Sequence, residues 1–460
     1  MDKLSLLRLC HHVENEYLAF RSQLKKLEVL EYPTTACLDL ISKVDKISLE
    51  KLNNIREIIK GLHSIKVTSD LEDIKDEIKL SRRKLFEILT IFLGRIYGAQ
   101  TQRVPWSLIP SIESLANVVI PDYISILFSE NLDIYETRWY LRLPEEFQDL
   151  KKYNFITLPR LHRLNILMHT LVGHEIMHPQ SDKFINSHKN DIASHITTKI
   201  ESLPSNERPD IVYDELTVVC SRAIEELLCD MACGELFGPA MFFAMRTYAS
   251  FSEFLSLPSS GNNYYPSWQY RFEFVWKYAV DQKDLKKLWE EVDKHIDGSV
   301  KQIGNIFKKE SKKVFGSYES SIGHDHIMRS KYKIAYEEVE RWITDMQKFI
   351  KSSIPATVPR WNDKKVIEQI PEMINRLNHG IPPNEIIHID RQGKKPKYNL
   401  KSEPAYLPAI LMAGWMYQTY REYNLMNRKK KKVLTYDTLC RLLLKSSEDS
   451  EMLRSKVNNL

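Results

Sequence analysis

The chain has 460 residues, 43% of them hydrophobic and 28% charged, with 66 Lys and Arg against 61 Asp and Glu for a net charge of +5. That composition is ordinary for folded globular domains, the length suits two or three of them, and a charge so near balance gives no ground for a nucleic-acid partner. Fourteen glycines against 20 prolines argue against a loop-rich all-β fold, and no stretch reaches the ~20 apolar residues of a membrane helix. The first dozen residues lack the apolar core and small-residue cleavage site of a signal peptide. Six cysteines (Cys10, Cys37, Cys220, Cys229, Cys233 and Cys440) sit mostly inside apolar helical patterns without disulfide-scaffold spacing, so a reducing cytoplasm is expected.

In chain order, Leu4, Leu7, Leu9, Val13, Tyr17, Leu18 and Phe20 recur every three to four positions, and Ser69-Asp70-Leu71-Glu72 opens a long amphipathic stretch from Leu71 to Ile96. Residues 1–100 are therefore expected as a helical N-terminal domain, either packed on the rest or serving as an interaction module. Prolines at 105, 110 and 121 then change the texture, and the β-forming run 134–143 predicts a small sheet ending at Pro144. Helices are expected over Leu161–His178 and Asp214–Tyr248, with charged amphipathic helix from Val280 to Ile350. Ser352 to Pro359 reads as a hinge, near 352–361, and residues 381–408 as a Pro-punctuated loop. Fold class is thus mainly α with a small β-sheet (α+β). The expected divisions are 1–100, a central domain over 101–300 and a mainly helical C-terminal region over 301–460.

The chemistry is concentrated at His174-Glu175-Ile176-Met177-His178, an H-E-x-x-H. On a helix the two imidazoles, four residues apart, share a face and can grip one metal ion, while Glu175 stands beside them as a base for a metal-bound water. A catalytic zinc needs a third protein ligand and an open position. Ser181 and Phe184 stand where a metzincin would have glycine and histidine. Downstream, Glu226 and Asp230 are four apart on one helical face, which suits Glu226 as the metal ligand and Asp230 as the carboxylate that orients a ligating imidazole, that of His174. Glu225 is the competing ligand, and Asp214 the next candidate. The apolar residues Ile224, Leu227, Leu228, Met231 and Ala232 around these acids argue against a solvated charged face. Cys229 and Cys233, lacking a second cysteine pair, read as small buried hydrophobes.

Further on, Tyr265-Pro266 precedes Arg271 by six residues. With H-E-x-x-H and then E-x-x-x-D, this order resembles the gluzincin metallopeptidases, particularly their prenyl-endopeptidase and heat-shock-protease branch, over roughly residues 160–275. The resemblance implies a zincin-like core, a Zn2+ cofactor, and oxyanion-stabilising roles for Tyr265 and Arg271, Tyr265 standing where that branch has histidine. The branch's membrane helices have no counterpart here. Gly238-Pro239-Ala240 also resembles soluble, uncharacterised bacterial gluzincin-like proteins, some associated with phage-defence gene clusters.

Other clusters read as ordinary surface or core: Gly323-His324-Asp325-His326 as a hydrophilic turn, His188 and His195 as surface histidines in a loop after the motif, His169 as core or a residue behind the ligands, and Arg428 to Lys432 as a solvated helix end. The expected function is that of an intracellular zinc endopeptidase acting on a protein or peptide, with a regulatory partner accommodated by the helical flanks. A substrate strand is expected to pair with the edge of 134–143. The competing expectation is a non-catalytic helical interaction or sensor protein with a structural zinc site.

Overall fold

The computed structural model describes residues 3–62, 68–100, 107–129, 135–139, 145–205, 213–249, 265–279, 282–295, 303–309, 332–390, 397–427 and 433–458. They are mainly helical with a small mixed sheet, and fall into two compact units, Met1–Ile109 with Asp122–Arg163 and Pro110–Pro121 with Leu164–Leu460.

In the first unit three long helices pack on one another: α1 (Lys3–Glu28), α2 (Ala36–Gly61) and α3 (Thr68–Gly98). α1 is helical as expected, but its buried face differs from the expected stripe: Val13, Tyr17 and Phe20 are buried, Leu4 and Leu18 are exposed, and Leu6, Cys10, Leu24 and Leu27 complete the face at helical spacing. Ion pairs tie the outer surfaces, Arg21 donating to both oxygens of Asp45 at 2.7 and 2.9 Å and Arg82 to Glu16. The sheet places β3 (Tyr153–Thr157) between β1 (Ile124–Phe128), to which it is parallel, and β2 (Glu136–Trp139), to which it is antiparallel. Every residue of β3 is buried, as a central strand covered on both faces requires. Phe155 on it meets Phe92 of α3 and Phe128 of β1 at 5.6 and 6.2 Å between ring centres. The expected 134–143 strand is thus shorter where described, with 134 and 140–143 outside the described residues, and β1 and β3 were not anticipated.

After the short helix α4 (Ile109–Val119), the second unit is built around α5 (Val172–Glu201) and α6 (Tyr213–Phe237), which lie side by side. The helix expected over Leu161–His178 is corrected at both ends. Its first part is two separate 3-10 turns, Arg160–His162 and Met168–Leu171, and α5 then runs through Pro179 to Glu201. A proline forfeits one bond, to the carbonyl four residues back, and an otherwise well-packed helix tolerates that loss. His188 and His195 accordingly lie on α5 and not in a loop: His188 packs against Trp342 at 5.0 Å between centroids, and His195 Nδ1 lies 3.2 Å from Glu338 Oε1.

The single helix expected over Asp214–Tyr248 is broken at Gly238, whose φ of +52° is a left-handed conformation that glycine alone adopts cheaply. α7 (Pro239–Ala249) follows, with proline at its first position. A Cβ at Gly238 would lie 2.3 Å from Trp361 Cδ2, so the break also seats that indole, and the Trp361 amide donates to the Leu236 carbonyl at 3.0 Å.

After α8 (Trp268–Tyr278) and α9 (Gln282–His295) come the helices α10 (Lys333–Arg341), α11 (Ile343–Ser353) and α12 (Ile370–Asn378). The expected loop at 381–408 is corrected: it contains the antiparallel pair β4 (Glu385–Asp390) and β5 (Lys397–Pro404). The apolar run from Leu407 is the start of α13 (Leu407–Met426), buried nearly throughout, and α14 (Tyr436–Asn458) packs on it. No helix among the described residues is long and apolar enough to cross a membrane.

Candidate metal centre

The motif occupies the first two turns of α5, directly after the Met168–Leu171 turn. Gly173 sets how closely α6 can approach. A Cβ there would meet Phe237 Cε2 at 2.7 Å and Cys233 Sγ at 3.2 Å. With only hydrogen at that point the Phe237 ring and the Cys233 thiol pack directly on the α5 backbone, and the helices run antiparallel at the site. Gly173 therefore faces Phe237 and Cys233, His174 faces Asp230, and His178 faces Glu225.

Each imidazole is held from behind by a carboxylate. His174 Nδ1 bonds Asp230 Oδ1 at 2.8 Å, and His178 Nδ1 bonds Glu225 Oε1 at 3.1 Å. Fixing Nδ1 in this way turns Nε2 away from the bracing carboxylate, the arrangement that orients ligating histidines. His174 Nε2 lies 3.5 Å from Glu226 Oε2, and His178 Nε2 lies 3.9 Å from Glu175 Oε2. One ligand atom each from His178, Glu225 and Glu226 falls within a mutual 4.8 Å, and the same holds for His174, His178 and Cys229.

The electrostatics follow from burial. Glu226 and Asp230 are 2% and 1% exposed. Burial alone would raise both acids, yet His174 and Arg271 outweigh it and hold both below the usual carboxylate range. Burial would likewise lower His174, but Asp230 and Glu226 overcome it and raise the imidazole to about 10. Glu226 Oε1 is buried without a hydrogen-bond partner. A buried carboxylate with one unpartnered oxygen, its other oxygen 3.5 Å from one of two carboxylate-braced imidazoles, is the kind of donor set a divalent cation satisfies, and the chemistry of these residues fits a zinc ion.

Arg271 stands on the first turn of α8, whose N-cap Ser267 accepts from the Tyr270 amide at 3.3 Å. That turn aims the guanidinium inward. Its Nε donates to Asp230 Oδ2 at 2.6 Å and its Nη2 to Oδ1 at 2.8 Å, with Glu226 Oε2 3.4 Å from Nη2. The expected residues His174, Glu175, His178, Glu226, Asp230 and Arg271 are thus brought together, with Arg271 behind Asp230. Tyr265 sits at the rim, 42% exposed, its ring 5.3 Å from the Arg222 guanidinium. Burial and then Glu226 raise its hydroxyl above the usual phenol value.

Sequence reasoning missed the work of Glu225 and Arg222. Arg222 Nη1 donates to Glu225 Oε2 at 2.6 Å while Glu225 Oε1 bonds His178, so the acid weighed as a rival ligand holds the second imidazole. The pairing had a signal, Arg222 being three residues before Glu225 on one helix face. Asp214 is exposed at the start of α6. Residues 323–326 and 428–432 lie outside the described residues. No family model, curated protein or solved structure matches the chain.

Proposed function

We propose that the chain is a zinc-dependent endopeptidase, in which His174, His178 and Glu226 hold the metal. The observation that carries this reading is the double bracing: each imidazole gives Nδ1 to a carboxylate, and beside them Glu226 keeps a buried, unpartnered oxygen. When bound, zinc supplies a Lewis acid and brings the pKa of a coordinated water towards ~7. Glu175, buried next to His178, takes a proton from the attacking water and returns it to the leaving amine nitrogen. Asp230 fixes His174, and Arg271 fixes Asp230. Tyr265, exposed at the rim, donates its hydroxyl to the developing oxyanion.

A protein or peptide substrate follows from this chemistry. Six buried free thiols accord with a reducing cytoplasm as the working compartment, and the helices of the first unit give a regulatory partner a surface to engage. In an experiment, the metal content of purified wild type would be measured beside that of Glu175→Gln and Glu226→Ala, together with proteomic comparison of cells carrying wild type and Glu175→Gln. One zinc per chain in wild type and Glu175→Gln, its loss in Glu226→Ala, and cleavage products confined to wild type are expected. Equal zinc in all three proteins would remove Glu226 from the ligand set.

A further inference from the structure

We propose that Cys229 is a fourth protein ligand, a thiolate that closes the metal centre in the resting chain; this rests on the zinc centre proposed above. Cys229 is three residues after Glu226 and four after Glu225 on α6, so it shares their face. It is completely buried, and its Sγ lies within 4.8 Å of a nitrogen of both His174 and His178. That convergence owes nothing to the carboxylates. Cys233, one turn on, shows what a merely packed thiol does in this helix: it donates to the Thr170 carbonyl at 3.4 Å and does not join the atoms that converge on the two imidazoles.

The chemistry is complete without a redox partner. A sulfur–metal bond forms as the thiol proton leaves to solvent, and nothing is oxidised. Thiolate and imidazole together select zinc over the hard cations that the carboxylates alone would admit. Two imidazoles, a carboxylate and a thiolate make a closed tetrahedron, whereas turnover requires an open position. Released from the metal and reprotonated from solvent, the Cys229 thiol has an alternative partner for that state, donating to Ser181 Oγ on α5 at 3.5 Å. The site is therefore held shut by a side chain with a second place to dock, and substrate must displace it.

Cobalt(II) substitution tests this through a spectrum. Wild type loaded with cobalt should show visible d–d bands of a tetrahedral ion together with an intense near-ultraviolet sulfur-to-cobalt charge-transfer band. Cys229→Ser, checked for fold by circular dichroism, should keep the visible bands and lose the near-ultraviolet one. X-ray absorption on the zinc-loaded wild type needs no variant and should find one sulfur at about 2.3 Å beside nitrogen and oxygen scatterers at about 2.0–2.1 Å. Cobalt bound with no charge-transfer band, or a band that survives in Cys229→Ser, overturns the thiolate and leaves the metal centre standing. Failure of wild type to bind cobalt or zinc at all overturns both.

Discussion

Asp230→Asn perturbs the centre at its most connected atom pair. Asp230 accepts one bond from His174 Nδ1 and two from Arg271, at 2.8, 2.6 and 2.8 Å, while 1% exposed. Asparagine keeps the shape but offers one oxygen and places an NH2 against either a guanidinium or an imidazole N–H, and it removes the charge that Arg271 needs. Stripping one partner from a buried pair costs about 3–5 kcal/mol because the other is left uncompensated. Here Glu226 Oε2, 3.4 Å from Arg271 Nη2, takes up part of that loss, so about 3 kcal/mol is expected in urea unfolding of the metal-free protein. Zinc affinity should fall ~10- to 100-fold, the usual consequence of losing the group that orients a ligating histidine. Adding Arg271→Met to Asp230→Asn should recover much of the stability, since no buried cation remains, but none of the affinity, since His174 is still unbraced. The assays are urea denaturation and competition against a chelating zinc indicator. A stability loss below about 1 kcal/mol with unchanged zinc affinity would refute the reasoning, because it would mean that Asp230 is effectively solvated.

Zinc uptake should release protons: the carboxylates hold metal-free His174 raised to about 10, hence protonated at neutral pH, and a coordinating imidazole must be neutral. Affinity should therefore rise at least tenfold per pH unit from about 7 towards 9, and calorimetry in buffers of different ionisation enthalpy should show at least one proton leaving; buffer-independent heats would contradict it. Gly173→Ala puts a methyl 2.7 Å from the Phe237 ring, so an overpacking cost of ~1–3 kcal/mol should exceed the ~1 kcal/mol of regained helix propensity and weaken zinc binding by spreading α5 from α6. An unchanged Tm would show that contact to be slack. Tyr265→Phe should lower kcat ~100-fold with zinc content and Tm unaltered, because the hydroxyl contributes to the transition state while the ring that packs on Arg222 remains; full activity in the variant would leave the oxyanion to other donors.

The parts of the site legible in the sequence were those fixed by helical periodicity. His174 with His178, and Glu226 with Asp230, are pairs four apart, and the expected match of Asp230 to His174 is the hydrogen bond observed. Glu225 was weighed only against Glu226 as a ligand, because sequence spacing says which residues share a helix face and nothing about which neighbour a second helix brings to each. That information lies in the contact between α5 and α6, set by a glycine whose role shows only when Phe237 and Cys233 are placed against it. The fold shows the same division. That α1 is a helix was readable from spacing, though of its expected stripe only Val13, Tyr17 and Phe20 are buried, whereas β3 was not, since a five-residue buried strand has no alternation to betray it. The continuation of α5 through Pro179 was hidden because the local cost of proline is overridden by burial of Phe184, Ile192 and Ile196 beyond it.

The site also divides by the kind of element that carries each residue. His174, Glu175 and His178 stand on α5, Glu225, Glu226, Cys229 and Asp230 on α6, and Arg271 on the capped first turn of α8. All are on helices, and every proposed metal ligand or ligand-orienting group among them is tied to a side chain on a different helix or to a neighbour on its own. Rigid elements of that kind hold coordinating atoms to the tolerance that a metal demands. Tyr265 differs. It precedes α8 on an extended segment, it is exposed, and its ring rests against the Arg222 guanidinium at the rim. Under the proposed reading, substitutions at His174, His178, Glu226 and Asp230 should therefore act on zinc retention, whereas Glu175→Gln and substitutions at Tyr265 should act on turnover with zinc retained.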